Sequence, residues 1–232
     1  MVQLNHAIIR AISFDLDDTL YLNGNIIEQA EQALSHWLQE HVAQPALTHI
    51  NWEQIKKDML SAAPLLKHDL GELRFRTIMT GLTQIGLDEH KAREYAQKAM
   101  TFFVVERSKV NISPQTHQLL EKLQSKYPLV AITNGNLDLQ QAGIAHYFKF
   151  IYKANLKFPK KPHPHMFRSA CHDLDIEPEQ LLHIGDNVND DIGGAHRAGC
   201  QAAWLPLKTT PPTLDNSIWQ LNTLDDLLCL VD

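Results

Sequence analysis

The chain is poor in the features that mark extracellular, membrane and nucleic-acid-binding proteins. Three cysteines occur, Cys171, Cys200 and Cys229. They are odd in number, far apart and without CxxC spacing, so neither a disulfide framework nor a zinc knuckle is indicated, and a reducing cytoplasmic setting is expected. No apolar run approaches the roughly 20 residues of a membrane span. The amino-terminal run is interrupted too early, by Arg10 and Asp15, to read as a signal peptide. Runs of Lys and Arg are missing, and the formal net charge is -6. That balance gives no footprint for nucleic acid or an anionic membrane, so any phosphate must be met by a local site. Internal repeats and low-complexity tracts are also lacking, and nothing marks an obligate protein partner. What remains is an ordinary globular composition, 44% hydrophobic and 21% charged over 232 residues, enough for a medium domain plus a small one.

The stretch that stands out is Ile8 to Leu20, an apolar run that ends in Asp15, Asp17 and Asp18. Ile8, Ile12 and Phe14, with Ile9 and Ala11 between them, read as a strand buried on both faces of a sheet. Like charges crowded at the end of such a strand raise the cost of folding unless a cation neutralises them or one carboxylate stays protonated. Hard oxygen donors select Mg²⁺, Ca²⁺ or Mn²⁺ over zinc. The plainer alternative is a solvated acidic turn in which Asp17, Asp18 or Thr19 caps the next helix.

The rest of the chain divides by periodicity. After turn-forming residues Tyr21 to Asn25, apolar positions from Ile26 to Val42 fit a helix. Three more helical segments follow, Asn51 to Ala63, Asp69 to Ile85 and Asp88 to about Arg107, with no strand-like alternation among them. From Ser113 and Pro114 onward, helices and strands alternate. Helix Pro114 to Lys126, strand Leu129 to Thr133, a helix after Leu137, strand Phe150 to Ala154, helix Pro164 to Leu174, strand Leu181 to Ile184, helix Val188 to Ala198 and strand Gln201 to Leu205 are expected, with Leu221 to Val231 as a closing helix. The fold class is therefore α/β, a Rossmann-like parallel sheet core interrupted by an inserted all-helical cap. The expected division is a discontinuous core, 1–20 and 111–232, around a cap over 21–110.

Ligands of open parallel sheets bind beyond the carboxyl ends of the strands. There the first strand delivers Asp15 and Asp17, and the second delivers Thr133, Asn134 and Gly135. The third is followed by Lys157, Lys160 and Lys161, and the fourth delivers Gly185, Asp186, Asp190 and Asp191. Each cluster alone reads as a turn or a solvated loop. Together they supply hydroxyl and amide donors, a lysine and two sets of carboxylates, which is what a metal-bound phosphoryl group needs.

In their order and placement, Asp15-Leu16-Asp17-Asp18-Thr19, Thr133, Lys161 in Lys161-Pro162-His163-Pro164, and Gly185-Asp186 with Asp190-Asp191 resemble the four motifs of the haloacid dehalogenase superfamily of phosphotransferases. The resemblance implies a nucleophile in Asp15, a general acid and base in Asp17, and phosphoryl contacts from Thr133, Asn134, Gly135 and Lys161. It implies Mg²⁺ held by Asp15, the backbone carbonyl of Asp17, Asp186 and Asp191, with Asp190 the competitor for the last place. Dehalogenases of the superfamily lack a carboxylate at the position of Asp17, which favours phosphoester chemistry. A phosphomutase, or a phosphate-binding regulatory protein that has kept the site without turnover, stays open as an alternative. His68-Asp69 followed by Arg74-Phe75-Arg76 is similar to the helical-cap phosphatases that act on flavin mononucleotide and on the phosphorylated ribitylaminouracil intermediate of riboflavin synthesis. That similarity implies a substrate contact by Arg74 or Arg76, which stand about 200° apart on a helix, so at most one faces the site. The partner expected is a small phosphorylated metabolite, a broad range of sugar phosphates and nucleotides being the rival to a ribityl compound.

Overall fold

The computed structural model describes residues 5–42, 44–206 and 218–231. Its centre is a parallel sheet in the order β3-β2-β1-β4-β5-β6. The strands are β1 (Ala11–Phe14), β2 (Leu129–Thr133), β3 (Phe148–Lys153), β4 (Leu181–Gly185), β5 (Gln201–Trp204) and β6 (Trp219–Gln220). Strand alternation sends Ile12, Phe14, Leu129, Ala131, Leu182 and Ile184 to one face, where Leu119, Leu120 and Leu123 of helix α5 (Pro114–Gln124) cover them. Ala11, Val130, Ile132 and Leu181 point to the other face, against helices α6 (His165–Leu174) and α7 (Gly193–Ala198). Both faces are thus dry, which is why the strands read as near-continuous apolar runs rather than as alternating ones.

The chain leaves β1, builds a helical unit, and returns to the sheet through α5. That unit comprises α1 (Ile26–Val42), α2 (Trp52–Ala62), α3 (Leu70–Gln84) and α4 (Glu89–Arg107). It has its own core, in which Ala30, Leu34 and Leu38 of α1 meet Ile78 and Leu82 of α3 and Ala92, Ala96, Ala99 and Phe103 of α4. Side chains close the helix starts as the sequence implies. Asn51, Asp69, Asp88 and Ser113 accept the backbone N–H of Gln54, Glu72, Lys91 and Thr116, each satisfying an otherwise unpaired donor of the first turn. No helix among the described residues is long and apolar enough to cross a membrane.

The expected parallel sheet and inserted helical cap are present, and several local details differ, among them the expected helix Val188 to Ala198, which is a π-helical turn over Val188–Ile192 followed by an α-helix over Gly193–Ala198. Strand β1 begins at Ala11 rather than Ile8, because His6–Ile8 form a 3-10 turn whose start is capped by Asn5. Strand β3 starts two residues earlier than the periodicity places it, at Phe148. The helix expected after Leu137 is a single turn closing at Gly143, since the Asp138 carboxylate accepts the N–H of both Gln140 and Gln141 and holds the backbone in a tight bend. The closing helix is a 3-10 segment, Leu224–Leu230, and the short edge strand β6 before it carried no periodic signal. Cys171 and Cys200, distant in sequence, pack as free thiols with Sγ atoms 3.9 Å apart.

Candidate active site

The sheet reverses its winding direction at β1, with β2 on one side and β4 on the other; Asp15 follows β1 and Asp186 follows β4. The Asp15 N–H donates to Ile184 O at 2.9 Å, so the two loops leave the sheet side by side. A crevice at such a switch point is where open parallel sheets bind ligands.

Four buried ionisable groups meet there. The Lys161 ammonium donates to Asp15 Oδ1 and lies 2.6 Å from Asp191 Oδ1 as well. Its third bond goes to Ile132 O at 2.7 Å. Asp191 Oδ1 also faces His183 Nε2 at 3.2 Å, and its Oδ2 accepts the Asn187 N–H at 2.9 Å. On its other side, the His183 ring meets Ser13 Oγ at 2.9 Å. Burial lowers the His183 pKa, against the pull of the Asp191 carboxylate, and so favours the neutral ring. Burial also works against the Lys161 charge, but Asp15 and Asp191 outweigh it and hold the ammonium firmly protonated. Asp191 is pushed up by burial and pulled further down by Lys161 and His183, so it stays ionised. Asp15 loses that competition: burial lifts it to about 7 against the pull of Lys161, and Asp191 and Asp17 add to the rise.

Asp186 is lifted to about 6 by burial and by the charges of Asp191 and Asp18. Oxygens of Asp15, Asp186 and Asp191 lie within 4.8 Å of one another. Once all three are ionised, three carboxylates against one ammonium leave two negative charges in the crevice, a fit for one hard divalent cation. Since both oxygens of Asp191 already accept hydrogen bonds, that residue serves the cluster chiefly by holding Lys161 and the Asn187 backbone. Asp190 lies apart from the three, its Oδ2 accepting from Asn134 Nδ2 at 3.3 Å. Gly185 is required at the end of β4, because a Cβ there would come 2.2 Å from Asp191 Cγ.

Asp17 turns its carboxylate away from this cluster. Its Oδ1 accepts from Tyr21 Oη at 2.7 Å and from Arg107 Nη2, at the last residue of α4. Nothing in the sequence singled out Arg107, which reads there as a solvated cation in a helix's final turn, yet it is almost wholly buried. Tyr21, the first of the turn-forming residues that follow the acidic loop, is buried too. His183 did carry a signal, as the one polar residue in an apolar strand.

Among the expected phosphoryl contacts, Thr133 is buried, and its Oγ1 accepts the Gly135 N–H at 2.9 Å, which leaves the hydroxyl proton free to donate elsewhere. The Asn134 side chain is otherwise committed. Its Oδ1 accepts the Lys161 N–H at 2.7 Å and its Nδ2 donates to Lys161 O at 3.1 Å, stapling the lysine loop to the end of β2. Gly135 passes so close to Asp17 that a Cβ would sit 2.6 Å from Asp17 Oδ2. Lys157 is exposed, and Lys160 offers its backbone N–H to His68 Nδ1 at 3.2 Å, a link between the helical unit and the lysine loop.

The two cap arginines part company. Arg74 pairs with Glu31 of α1, its guanidinium carbon 3.7 Å from the centre of the Phe103 ring. With Trp52, Glu31 and Leu70 it lines a cavity of about 530 Å³ between α1, α2 and α3. Arg76 lies outside that lining and bonds Glu72 one turn back on its own helix, at 2.7 Å.

The pattern that describes haloacid dehalogenase-like hydrolases matches residues 9–199, and the chain belongs to that family. Across 85% of its length it is 36% identical to the 5-amino-6-(5-phospho-D-ribitylamino)uracil phosphatase YigB of Escherichia coli (strain K12), of which it covers 83%. It is 31% identical to a phosphoserine phosphatase of Thermus thermophilus, over 58% of this chain and 55% of that one. Among solved structures, a 2-haloacid dehalogenase from Pseudomonas syringae pv. Tomato DC3000 superposes with a TM-score of 0.90 at 32% identity, covering 96% of this chain and 98% of that one.

Proposed function

We propose that this protein is a Mg²⁺-dependent phosphatase of small phosphomonoesters that works in the cytoplasm through a phosphorylated Asp15. The observation that carries the reading is the pair of carboxylates on one loop with opposite surroundings. Asp15 faces the ammonium and the other acids of the crevice, while Asp17 faces a hydroxyl and a guanidinium at its rim. Two titratable groups held in such different environments are suited to different roles.

An oxygen of Asp15 attacks phosphorus, forming an acyl phosphate as the bond from phosphorus to the leaving oxygen breaks. Asp17 gives that oxygen a proton, then takes one from the water that attacks the acyl phosphate and frees Asp15. The Thr133 hydroxyl and the Asn134 backbone N–H hold the transferring oxygens, and the Lys161 ammonium, its protons committed to Asp15, Asp191 and Ile132 O, supplies positive charge beside Asp15. Asp15, Asp186 and the Asp17 carbonyl would hold Mg²⁺, with Asp191 behind them, and the ion supplies charge neutralisation between nucleophile and phosphoryl group. In this reading residues 21–110 act as a cap over a core of 1–20 and 111–232. The linkers Tyr21 to Asn25 and Val110 to Pro114 let it close and exclude water.

For the substrate we favour a phosphorylated ribityl compound bearing a planar heterocycle, as in riboflavin synthesis. The similarity to YigB over most of both chains and the cavity lined by Trp52 and Arg74 support this choice. A dehalogenase reading, raised by the Pseudomonas syringae structure, is disfavoured because a halide leaves without a proton and gives Asp17 no task. The experiment is a panel of phosphorylated metabolites, an aryl phosphate and a haloacid, with and without Mg²⁺, compared by kcat/KM. Turnover of phosphoesters with a preference for the ribityl compound is expected. Indifference among sugar phosphates would remove the substrate claim alone, and phosphate binding without hydrolysis would remove the enzyme.

A further inference from the structure

Among the described residues, Arg107 is the most deeply buried large cation apart from Lys161, at 1% exposure. Its Nη2 bonds Asp17 Oδ1 and reaches Tyr21 Oη at 3.3 Å, while Nη1 is buried with no partner among the described residues. Stability alone does not account for this arrangement, because a desolvated guanidinium with an idle donor costs free energy. The neighbouring residue shows that the placement is fixed. Ser108 Oγ accepts the Asp138 N–H at 2.9 Å, so the end of α4 is pinned to the loop that follows β2.

Together the contacts sort the two oxygens of Asp17. Tyr21 and Arg107 both donate to Oδ1, which is therefore an acceptor and carries no proton. Oδ2 lies against Gly135, where an added Cβ would meet it at 2.6 Å and Thr133 Oγ1 at 3.4 Å, the side on which the phosphoryl group would be held. We propose that Arg107 is a positioning residue for the acid and base step: with Tyr21 it clamps Oδ1 of Asp17, so that Oδ2 alone exchanges a proton with the leaving-group oxygen and with water. The inference rests on the phosphatase reading above. It also makes proton transfer depend on where the last turn of α4 stands, since one end of the clamp belongs to the helical unit.

The test uses leaving groups. An activated aryl phosphate departs with little need of a proton, whereas an alkyl phosphate needs one, and kcat/KM reports the step in which that oxygen leaves. Arg107→Met is expected to lower kcat/KM for an alkyl phosphate by about 10²-fold, within the range ordinary for general acid catalysis. The loss on 2,4-dinitrophenyl phosphate should be only a few-fold, and inhibition by inorganic phosphate should be nearly unchanged. Tyr21→Phe should show the same selectivity at smaller amplitude. Placed on Asp17→Asn, Arg107→Met should add no further selectivity, because the group it positions is gone. Should Arg107→Met fail to fold, Tyr21→Phe and Arg107→Lys are judged by the same criterion. Equal losses on both substrates, or full additivity with Asp17→Asn, would overturn the positioning role and leave the phosphatase standing. Wild-type protein that hydrolyses neither ester would overturn both.

Discussion

The crevice of the sheet and the cavity of the helical unit are built on opposite plans. In the crevice nearly every polar atom is committed: Lys161 makes three bonds, Asp191 uses both oxygens, and Asn134 fastens one loop to another. The cavity is lined mostly by apolar side chains, and Ile27 and Leu70 beside it are substantially exposed. Of the four charged residues that line it, Arg74 and Glu31 pair with each other and Glu53 pairs with Lys57, outside the lining, while Lys56 is the fourth. A network of the first kind tolerates few changes, because removing one member leaves a buried charge unpaired. A surface of the second kind can be revised one side chain at a time. The contrast fits the proposal above, in which the reaction belongs to the sheet and the choice of substrate to the helices.

That contrast would be broken soonest at Asp15. Asp15→Asn should cut kcat for an aryl phosphate by about 10⁴-fold or more, as loss of a nucleophile does elsewhere, while heavy-atom distances in the crevice stay close to those of the native chain. Residual turnover near the wild-type level would move the nucleophile elsewhere.

Asp17→Asn comes next, with about 10²- to 10⁴-fold expected on alkyl phosphates. Folding should be weakened as well, because an amide oxygen still accepts from Tyr21 and Arg107 but the buried guanidinium loses its counter-charge. A loss confined to KM would remove the acid and base role.

Cation binding should tie stability to pH. Asp15 and Asp186 are both raised above the ordinary carboxylate value, to about 7 and about 6. Between about pH 4 and 7 the folded chain therefore holds more protons than the unfolded one. Without a divalent cation its stability falls as pH rises through that window. Asp191, lowered rather than raised, loses its contribution only at much more acidic pH. Mg²⁺ should accordingly raise Tm by several degrees at pH 8 and hardly at all at pH 5, where protons compete for the same oxygens. Calorimetry at the two pH values reads this directly, and an equal shift at both would mean that the ion binds outside the three carboxylates.

The smallest effects belong to the helices. Arg74→Ala should raise KM for the preferred heterocyclic substrate by about tenfold, the scale of one lost cation contact, and leave an aryl phosphate unchanged. Arg76→Ala should alter neither by more than about twofold, since an exposed pair within one helix contributes little. A larger effect from Arg76 would reverse the assignment of the cavity.

How much of this was legible follows from how local each signal is. Asp15, Thr133 and Asp186 stand at the ends of strands whose apolar runs are visible in the sequence, Lys161 stands in the loop that follows the third strand, and Asn51, Asp69, Asp88 and Ser113 announce helix starts. Arg107 was invisible because its meaning depends on the path of four helices that brings residue 107 back to residue 17. The exhaustion of Asn134 and Asp191 by protein partners was equally hidden, since spacing shows which groups arrive at a place and not which bonds they have already made. The helix expected after Leu137 was lost to one aspartate, Asp138, whose side chain competes with the helical pattern for the same N–H groups.

Strand β1 lies in the interior of the sheet, paired along its length with β2 on one side and β4 on the other, while β3 and β6 form the edges. Fraying begins at edges and in units with a small core of their own, so the slowest amide exchange in the molecule should fall on Ile12 to Phe14 and their neighbours in β2 and β4. The helical unit can then open, or be nicked by a protease, in excursions far less costly than global unfolding. Asp15 would ride through such events on the part of the chain that is last to melt.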